Sequence, residues 1–147
     1  MIILSQRDQT WAGDTIGNTS LKIGKLGCTI TCVSMLSDYY KCFITPGGLA
    51  KKLSFNEEAK LIWSSINKVL CFNFVWRGYG VDYTKIDAAL KDPETSVILE
   101  VEHFHWIVAL RKIPFTNTYW CADPIHGDKC LSTRYKYISG YATFKKK

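Results

Sequence analysis

The sequence predicts an α+β fold, with N-terminal helices packed on a C-terminal antiparallel sheet. Three observations support this prediction. Apolar residues recur at helical spacing in the first half of the 147-residue chain, β-rich runs follow in the second half, and no repeat or low-complexity linker separates them. Helices that precede strands, instead of alternating with them, are typical of the α+β class. The length fits one domain, residues 1–147, that can bury a hydrophobic core.

Two helices are predicted in the first third of the chain, after a glycine-punctuated lead-in over residues 5–27. Apolar residues at helical spacing predict a helix over residues 28–40. Thr45 followed by Pro46 has the composition of a helix start, with Thr45 as the cap and Pro46 in the first turn. This second helix is expected to extend through Leu53.

Two further helices are predicted nearer the middle of the chain. Asn56, Glu57 and Glu58 indicate the start of a helix that runs to about Leu70, because acidic side chains are stabilised at the positive end of the helix dipole. Residues 82–90 predict a short helix.

The remaining elements are strands, predicted from short runs rich in β-branched and aromatic residues. The predicted strands cover residues 71–76, 97–101, 105–110, 119–122 and 141–144. The second and third of these runs are close enough in sequence to form a hairpin. We therefore expect an antiparallel sheet in the C-terminal half.

The chain is basic, with a net charge of +6 and a pI near 9.0. Such a surface favours anionic partners. Part of the charge is the run Lys145-Lys146-Lys147 at the end of the sequence, which is typical of a solvated tail. The other Lys and Arg residues are dispersed and form no nucleic-acid reading motif, so nucleic acid is not an expected partner.

The first residues do not form a leader peptide, because the apolar run Met1–Leu4 is short and charged residues follow it at once. No apolar run approaches the roughly 20 residues that a membrane helix needs. We therefore expect a protein that is cytoplasmic on synthesis and has no membrane span. Release by cell lysis or within a virus particle remains compatible with this expectation.

Six cysteines stand at positions 28, 32, 42, 71, 121 and 130, and their spacing matches no common zinc motif. In the absence of a leader, a reducing compartment predicts that most of them are free thiols. Cys32, Cys71 and Cys121 have apolar neighbours and are predicted to be core residues, because free cysteine packs as a small hydrophobe. No cofactor is expected.

Cys28 is the candidate nucleophile. It follows Gly27 and opens the first predicted helix. Free N–H groups and the positive dipole end at a helix N-terminus both stabilise a thiolate, which is the reactive form of cysteine. A cysteine at a helix start is nevertheless more often structural than catalytic, so this feature needs partners.

His105 and Asp123 are the candidate partners of Cys28. His105 begins an apolar strand, and Asp123 ends the next strand just before Pro124. A histidine there can face a helix that packs on the sheet, and a carboxylate beside it can fix the tautomer of the imidazole. Strand alternation places His103 on the same face as His105, but His103 is interpreted as a histidine of a surface turn.

These residues lie in segments that resemble the C39-like group of papain-fold cysteine peptidases, which are common in bacteria and phages. The matching segments are residues 6–11 (Q-R-D-Q-T-W), 21–36, 45–53, 97–101, 105–109 and Asp123-Pro124. They span nearly the whole chain in the family's order. Residues 56–80 match loosely, and the chain lacks the ATP-binding and membrane parts of bacteriocin exporters.

The resemblance implies a papain-like fold and assigns four roles. Cys28 aligns with the nucleophile, His105 with the general base and Asp123 with the residue that orients the histidine. Gln6 aligns with the oxyanion-hole residue, which would act beside the backbone N–H of Cys28. The implied activity is hydrolysis of peptide or amide bonds. The implied substrate is a polypeptide or peptidoglycan, as expected of a phage or bacterial cell-wall hydrolase.

Two alternatives stay open. An inactive papain-like scaffold would be a binding module for a peptide or an anionic polymer, and an occluded cleft would favour it. A metal site would use Cys28, Cys32, His103 and His105, although this set has no common zinc spacing. The sequence leaves the scissile bond and the oligomeric state open.

Overall fold

The structure is a computed structural model that describes all 147 residues. The helices are α1 (Ile23–Leu26), α2 (Cys28–Tyr39), α3 (Pro46–Lys52), α4 (Ile66–Val69) and α5 (Tyr83–Lys91). The strands are β1 (Phe72–Tyr79), β2 (Thr95–Val101), β3 (His105–Lys112), β4 (Tyr119–Asp123), β5 (Asp128–Leu131) and β6 (Ile138–Lys146). Short 3₁₀ turns cover Trp63–Ser65 and Ser132–Arg134.

All six strands form one antiparallel sheet in the order β1-β6-β2-β3-β4-β5. The predicted hairpin is present, because β2 pairs with β3 from Val97 opposite Ala109 to Val101 opposite His105. This hairpin brings the start of β3 to the end of β2. The α+β class predicted from the sequence is confirmed.

The two faces of the sheet bury different sets of side chains, because neighbouring residues in a strand point to opposite faces. One face packs on α2, where Ile98 and Val108 meet Cys32, Val33 and other residues of the larger core cluster. The opposite face packs on α5, and there Val97, Leu99 and Ile107 surround Ile86. The sheet therefore holds α2, and with it Cys28, against one face.

The two N-terminal helices follow the predicted signals. The helix predicted over residues 28–40 is α2, and eight consecutive residues of it, from Ile30 to Ser37, are buried. The Thr45 side chain accepts a hydrogen bond from the Gly48 backbone N–H at 3.1 Å, and Pro46 occupies the first helical position. Both interactions are those expected of a capped helix start.

The helix predicted from Asn56 to about Leu70 is wrong. Only α4 and the preceding 3₁₀ turn are helical there, and Phe55 instead pairs with Leu61 in an isolated β-bridge. The Asn56 side chain accepts from the N–H groups of Glu58 and Lys60, both at 2.9 Å. Such local side-chain bonds offer the backbone an alternative to helix, which is why the acidic residues did not nucleate one.

His103 does not share a strand face with His105. It lies in the turn between β2 and β3 with φ of 63°, so strand alternation does not extend to it. Its side chain is exposed and meets the ring of Tyr137 at a centroid distance of 5.6 Å. The interpretation of His103 as a histidine of a surface turn is confirmed.

The prediction that Cys71 is a free thiol in the core is wrong. Cys42 and Cys71 form a disulfide across 29 residues of sequence, so Cys71 is not a free core thiol. The bond joins the loop after α2 to the residue before β1, a proximity that depends on the tertiary fold and not on spacing. Cys32 and Cys121 are fully buried free thiols, as predicted.

None of the helices combines the length and the apolar character that a membrane crossing requires.

Candidate active site

Cys28 is the first residue of α2 and lies at the edge of an open cleft. Of the four free cysteines it alone is partly exposed. The preceding Gly27 leaves no room for a side chain, because a Cβ there would collide with the backbone of Ile23. The Gly27 carbonyl is in turn held by Thr31, whose N–H and hydroxyl donate to it at 2.9 Å and 2.8 Å. The backbone at the start of the helix is therefore held in place.

His105 is the first residue of β3 and is almost completely buried, with 2% of its surface exposed. Its Nε2 lies 2.9 Å from Oδ1 of Asp123. Because an ionised carboxylate only accepts hydrogen bonds, Nε2 carries the proton and donates it to Asp123. Cys28 is close enough to the ring to raise the pKa of His105, and Nδ1 is the nitrogen left free on the imidazole.

Asp123 is the last residue of β4, where Pro124 follows the strand, and its side chain is fully buried. Burial alone would raise the pKa of this carboxyl. Hydrogen bonds from His105, Tyr135 and the backbone of Ile125 outweigh burial and hold the pKa well below the usual range. Asp123 is therefore ionised at neutral pH.

Opposing effects also act on His105. Burial lowers its pKa, while the hydrogen bond to Asp123 and the nearby Cys28 raise it, and the net result is a pKa of about 9. A nearby negative charge favours the protonated imidazole, which accounts for the sign of the shift. At neutral pH the imidazole is therefore protonated, and it lies between the Asp123 carboxylate and the Cys28 sulfur.

Gln6 is buried, with 3% of its surface exposed, and lies beside the residues that precede α2. Its Nε2 donates to the Gly24 carbonyl at 3.3 Å, and its backbone N–H donates to the Pro124 carbonyl at 2.8 Å. Its Oε1 has no hydrogen-bond partner. The structure thus ties Gln6 to the segment before Cys28 and to the residue after Asp123.

A cleft of about 580 Å³ opens beside Cys28. Aromatic side chains form much of its wall, contributed by Trp63, Tyr79, Phe104 and Trp106. Phe104 and Tyr79 are exposed at its rim, with 67% and 85% of their surfaces accessible. His105 and Asp123 do not line this cleft, so only the sulfur of the three groups faces the open space.

The charged residues of the cleft are paired. Arg77 donates to Glu100 at 2.9 Å, and Lys60 lies 3.5 Å from Glu58. The Arg77 guanidinium also lies over the rings of Tyr79 and Trp106, at 4.2 Å and 4.7 Å from their centroids. These contacts fix the guanidinium as part of the wall. The four charges cancel, so the basic character of the chain is not concentrated in the cleft.

The four residues of the alternative metal site are not brought together. Cys32 is buried one turn below Cys28 and donates to the carbonyl of Trp106 at 3.4 Å. His103 lies in the exposed turn described above. No group of three or more His, Cys, Asp or Glu side chains has an arrangement that could hold a metal ion.

The structure joins His105 and Asp123 by a hydrogen bond and places Cys28 close enough to affect the pKa of His105. Sequence reasoning missed Arg134 and Tyr135, which both bind Asp123, and the cleft residues Arg77 and Trp63. Neither Arg134 nor Tyr135 stands in a motif or a periodic pattern. Their position after β5 becomes informative only when that strand pairs with β4.

Comparisons of the chain with protein-family models, with curated proteins and with solved structures found no match. The function is therefore inferred from the geometry of the site.

Proposed function

We propose that this chain is a thiol hydrolase that cleaves peptide or amide bonds, with Cys28 as nucleophile. His105 is the acid–base residue and Asp123 orients it. The observation that carries the proposal is the buried hydrogen bond between His105 and Asp123 in the neighbourhood of Cys28, a cysteine that opens a helix beside a cleft. Nucleophile, base and orienting group in hydrogen-bond reach are the signature of an activated nucleophile.

The reaction follows from the proton positions. The Cys28 thiolate attacks the carbonyl carbon of the substrate, the carbonyl π bond opens onto its oxygen, and a tetrahedral oxyanion intermediate forms. His105, protonated at neutral pH, gives its proton to the leaving amine as the carbon–nitrogen bond breaks. The neutral ring then accepts a proton from water, which attacks the thioester and releases the acid. Cys28 and His105 return to their starting state.

The oxyanion of the intermediate needs donors that are already in place. The backbone N–H of Cys28 is available, because the first N–H groups of a helix have no partner within it. Gln6 is the second donor in this proposal. One N–H of its amide is used by the Gly24 carbonyl, which leaves the other for the oxyanion.

The arrangement of elements supports a papain-like interpretation of the fold. A helix carries the nucleophile at its N-terminus and packs on an antiparallel sheet. Strands β3 and β4 of that sheet carry the histidine and the aspartate. This is the division between a helical half and a sheet half that the C39-like resemblance implies.

The cleft supports a substrate segment with large, uncharged side chains. Its walls are aromatic and its charges are already paired. A polypeptide or a peptide cross-bridge of peptidoglycan fits these properties. The excess basic residues lie outside the cleft, where they can attract an anionic cell wall without contacting the scissile bond.

The test is alkylation of the native protein with iodoacetamide at pH 6, followed by peptide mapping. Only a thiolate reacts quickly, so ordinary thiols are slow at this pH. Cys28 is expected to be labelled first. Because it is also the only partly exposed free cysteine, speed alone does not establish activation.

The decisive comparison is therefore His105→Ala, which keeps Cys28 exposed and removes its partner. We expect Cys28 to be labelled at least about tenfold more slowly in this variant, since a charge-assisted hydrogen bond contributes roughly 1.5–3 kcal/mol. Cys32→Ala is the control, because it removes a buried thiol of the same helix whose hydrogen bond goes to the Trp106 carbonyl and not to the His105 ring. Equal labelling of wild type and His105→Ala would contradict the proposal.

The alternative of an inactive binding module predicts a different result. It allows ligands to bind in the aromatic cleft but requires no dependence of Cys28 reactivity on His105. The open cleft and the proximity of Cys28 to His105 both favour the hydrolase. Binding of cell-wall peptides that is unchanged by Cys28→Ser, with no cleavage by wild type, would favour the module.

A further inference from the structure

Four donors bind the carboxylate of Asp123, and two of them come from residues with no role in the proposed reaction. Tyr135 Oη donates to Oδ2 at 2.5 Å, and Arg134 Nη1 donates to the same oxygen at 3.0 Å. Oδ1 accepts from His105 at 2.9 Å and from the Ile125 N–H at 3.0 Å. An ionised carboxylate has about four lone-pair positions, so these donors fill it.

The donors also fix the orientation of the carboxylate. Rotation of the Asp123 side chain would break the bonds of Oδ2 to Tyr135 and Arg134 at the same time as the bond of Oδ1 to His105. The side chain is fully buried, so water would not replace the lost bonds. The side chain therefore has one well-satisfied position, with Oδ1 turned towards the histidine.

Arg134 is itself anchored. Its guanidinium forms two bonds of 2.8 Å to Asp128, the first residue of β5, which lies opposite Asp123 in the strand pair. A planar guanidinium held by two carboxylates has little freedom to move. Arg134 thus ties the end of β4 to the start of β5 and places a positive charge beside Asp123.

Tyr135 contacts both His105 and Asp123. Its hydroxyl binds Asp123, and its ring meets the ring of His105 at a centroid distance of 5.3 Å and an angle of 48°. The tyrosine therefore limits the position of the imidazole from the side as well as through the carboxylate. Neither Tyr135 nor Arg134 lines the cleft, so neither contacts the substrate there.

We propose that Tyr135 and Arg134 are positioning residues, which keep Asp123 ionised and oriented so that His105 presents Nδ1 to Cys28. This inference rests on the proposed hydrolase function. The inference extends the site to the segment after β5. The two residues of that segment act through Asp123 and not on the substrate.

Tyr135→Phe tests the hydroxyl alone, since it keeps the ring that packs on His105. Loss of one donor is expected to raise the pKa of the Asp123 carboxyl and to loosen its orientation. Cys28 is then expected to be alkylated about tenfold more slowly at pH 6, the loss that corresponds to one hydrogen bond to a charged group. The carboxyl carbon of Asp123, followed by NMR, should titrate at a higher pH than in wild type.

Tyr39→Phe is the matched control. Tyr39 Oη also donates one hydrogen bond, to the Pro93 carbonyl at 2.7 Å. It lies at the far end of α2, roughly 16 Å along the helix axis from Cys28 at 1.5 Å per residue. This variant should lose a tyrosine hydroxyl and some stability without any change in Cys28 labelling.

Arg134→Gln and Arg134→Lys separate charge from geometry. The glutamine variant removes the positive charge, so the Asp123 carboxyl should titrate at a higher pH and labelling should slow. The lysine variant keeps the charge, so the Asp123 titration should stay near wild type. Equal titration of Asp123 in the glutamine variant and in wild type would overturn the charge part of the proposal.

The outcomes distinguish this inference from the proposed function. A wild-type labelling rate for His105→Ala overturns the hydrolase and the positioning role with it. If labelling of Cys28 is slowed in His105→Ala but unchanged in Tyr135→Phe, only the positioning role is overturned. If Tyr135→Phe is less stable but its Cys28 is labelled at the same rate as in Tyr39→Phe, Tyr135 has only a structural role. This result also overturns the proposal.

Discussion

Burial and hydrogen bonding act on His105 in opposite directions, and the balance determines what the residue can do. Burial alone would leave a neutral imidazole, whereas Asp123 and Cys28 keep it protonated with a pKa of about 9. A proton held on the ring at neutral pH is available for a leaving amine. The same shift has a measurable consequence for folding, because the unfolded chain has no such partners.

The free energy of unfolding is expected to fall between about pH 6.5 and pH 9 because of His105. Its pKa is higher in the folded state, so folding binds a proton in this range and the stabilisation is complete only below the unfolded pKa. The total loss is on the order of 3 kcal/mol, at about 1.4 kcal/mol for each pH unit. Urea unfolding at a series of pH values measures it.

His105→Gln is the comparison for this pH dependence. The variant should be less stable throughout but should lose the decline between the two pH values. If wild type and His105→Gln decline in parallel, another group titrates and the raised pKa of His105 is contradicted.

At the scale of the element, strands and capped helices could be predicted from the sequence, and the exceptions have local causes. The β2–β3 hairpin and the cap at Thr45 depend on residues that are close in sequence. The helix expected after Asn56 failed because the Asn56 side chain bonds the following N–H groups. Strand β5 has only four residues and little β-rich character, so its pairing with β4 identifies it.

The residues of the candidate site also divide into those that the sequence could predict and those that it could not. The residues on regular elements, Cys28, His105 and Asp123, could be found because helix and strand ends are visible in the sequence. Tyr135 and Arg134 lie after an unpredicted strand, and they reach Asp123 only through the tertiary fold. The donors that complete a buried carboxylate are therefore the part of a site that sequence reasoning misses.

Strand β1 contributes Arg77 and Tyr79 to the cleft wall, and Gly140 of the neighbouring strand β6 leaves room for Arg77. A Cβ at Gly140 would overlap the guanidinium of Arg77 and would lie 2.9 Å from the Gly78 carbonyl oxygen. Gly140→Ala should therefore displace Arg77 from Trp106 and destabilise the protein by roughly 1–3 kcal/mol, the usual cost of overpacking. Urea unfolding and tryptophan fluorescence measure the two effects.

Gly13→Ala is the control for this substitution. Gly13 is exposed, and a Cβ there would meet no atom within 4 Å. It should be close to neutral in both measurements. Equal effects of Gly13→Ala and Gly140→Ala would show that the contact with Arg77 does not account for the loss.

At the scale of the whole molecule, the disulfide between Cys42 and Cys71 makes stability depend on redox conditions. It connects the loop after α2 to the start of β1, and so joins the helical part to the edge of the sheet. Disulfides persist in oxidising surroundings and are rare where glutathione keeps thiols reduced. The stability that this bond contributes is therefore expected to depend on the redox state of the surroundings.

Reduction of this disulfide is expected to lower the free energy of unfolding by roughly 3–4 kcal/mol, the chain-entropy value for a closed loop of 29 residues. Urea unfolding with and without a reductant measures the loss. The double variant Cys42→Ser/Cys71→Ser should have the lower stability of the reduced protein and no further response to the reductant, since its four remaining cysteines are free thiols. A reductant effect that persists in the double variant would contradict the assignment to this bond.

Because Cys28 lies at the opposite end of α2 from the loop that holds Cys42, its labelling at pH 6 should be the same in wild type and in the double variant Cys42→Ser/Cys71→Ser below their unfolding transitions.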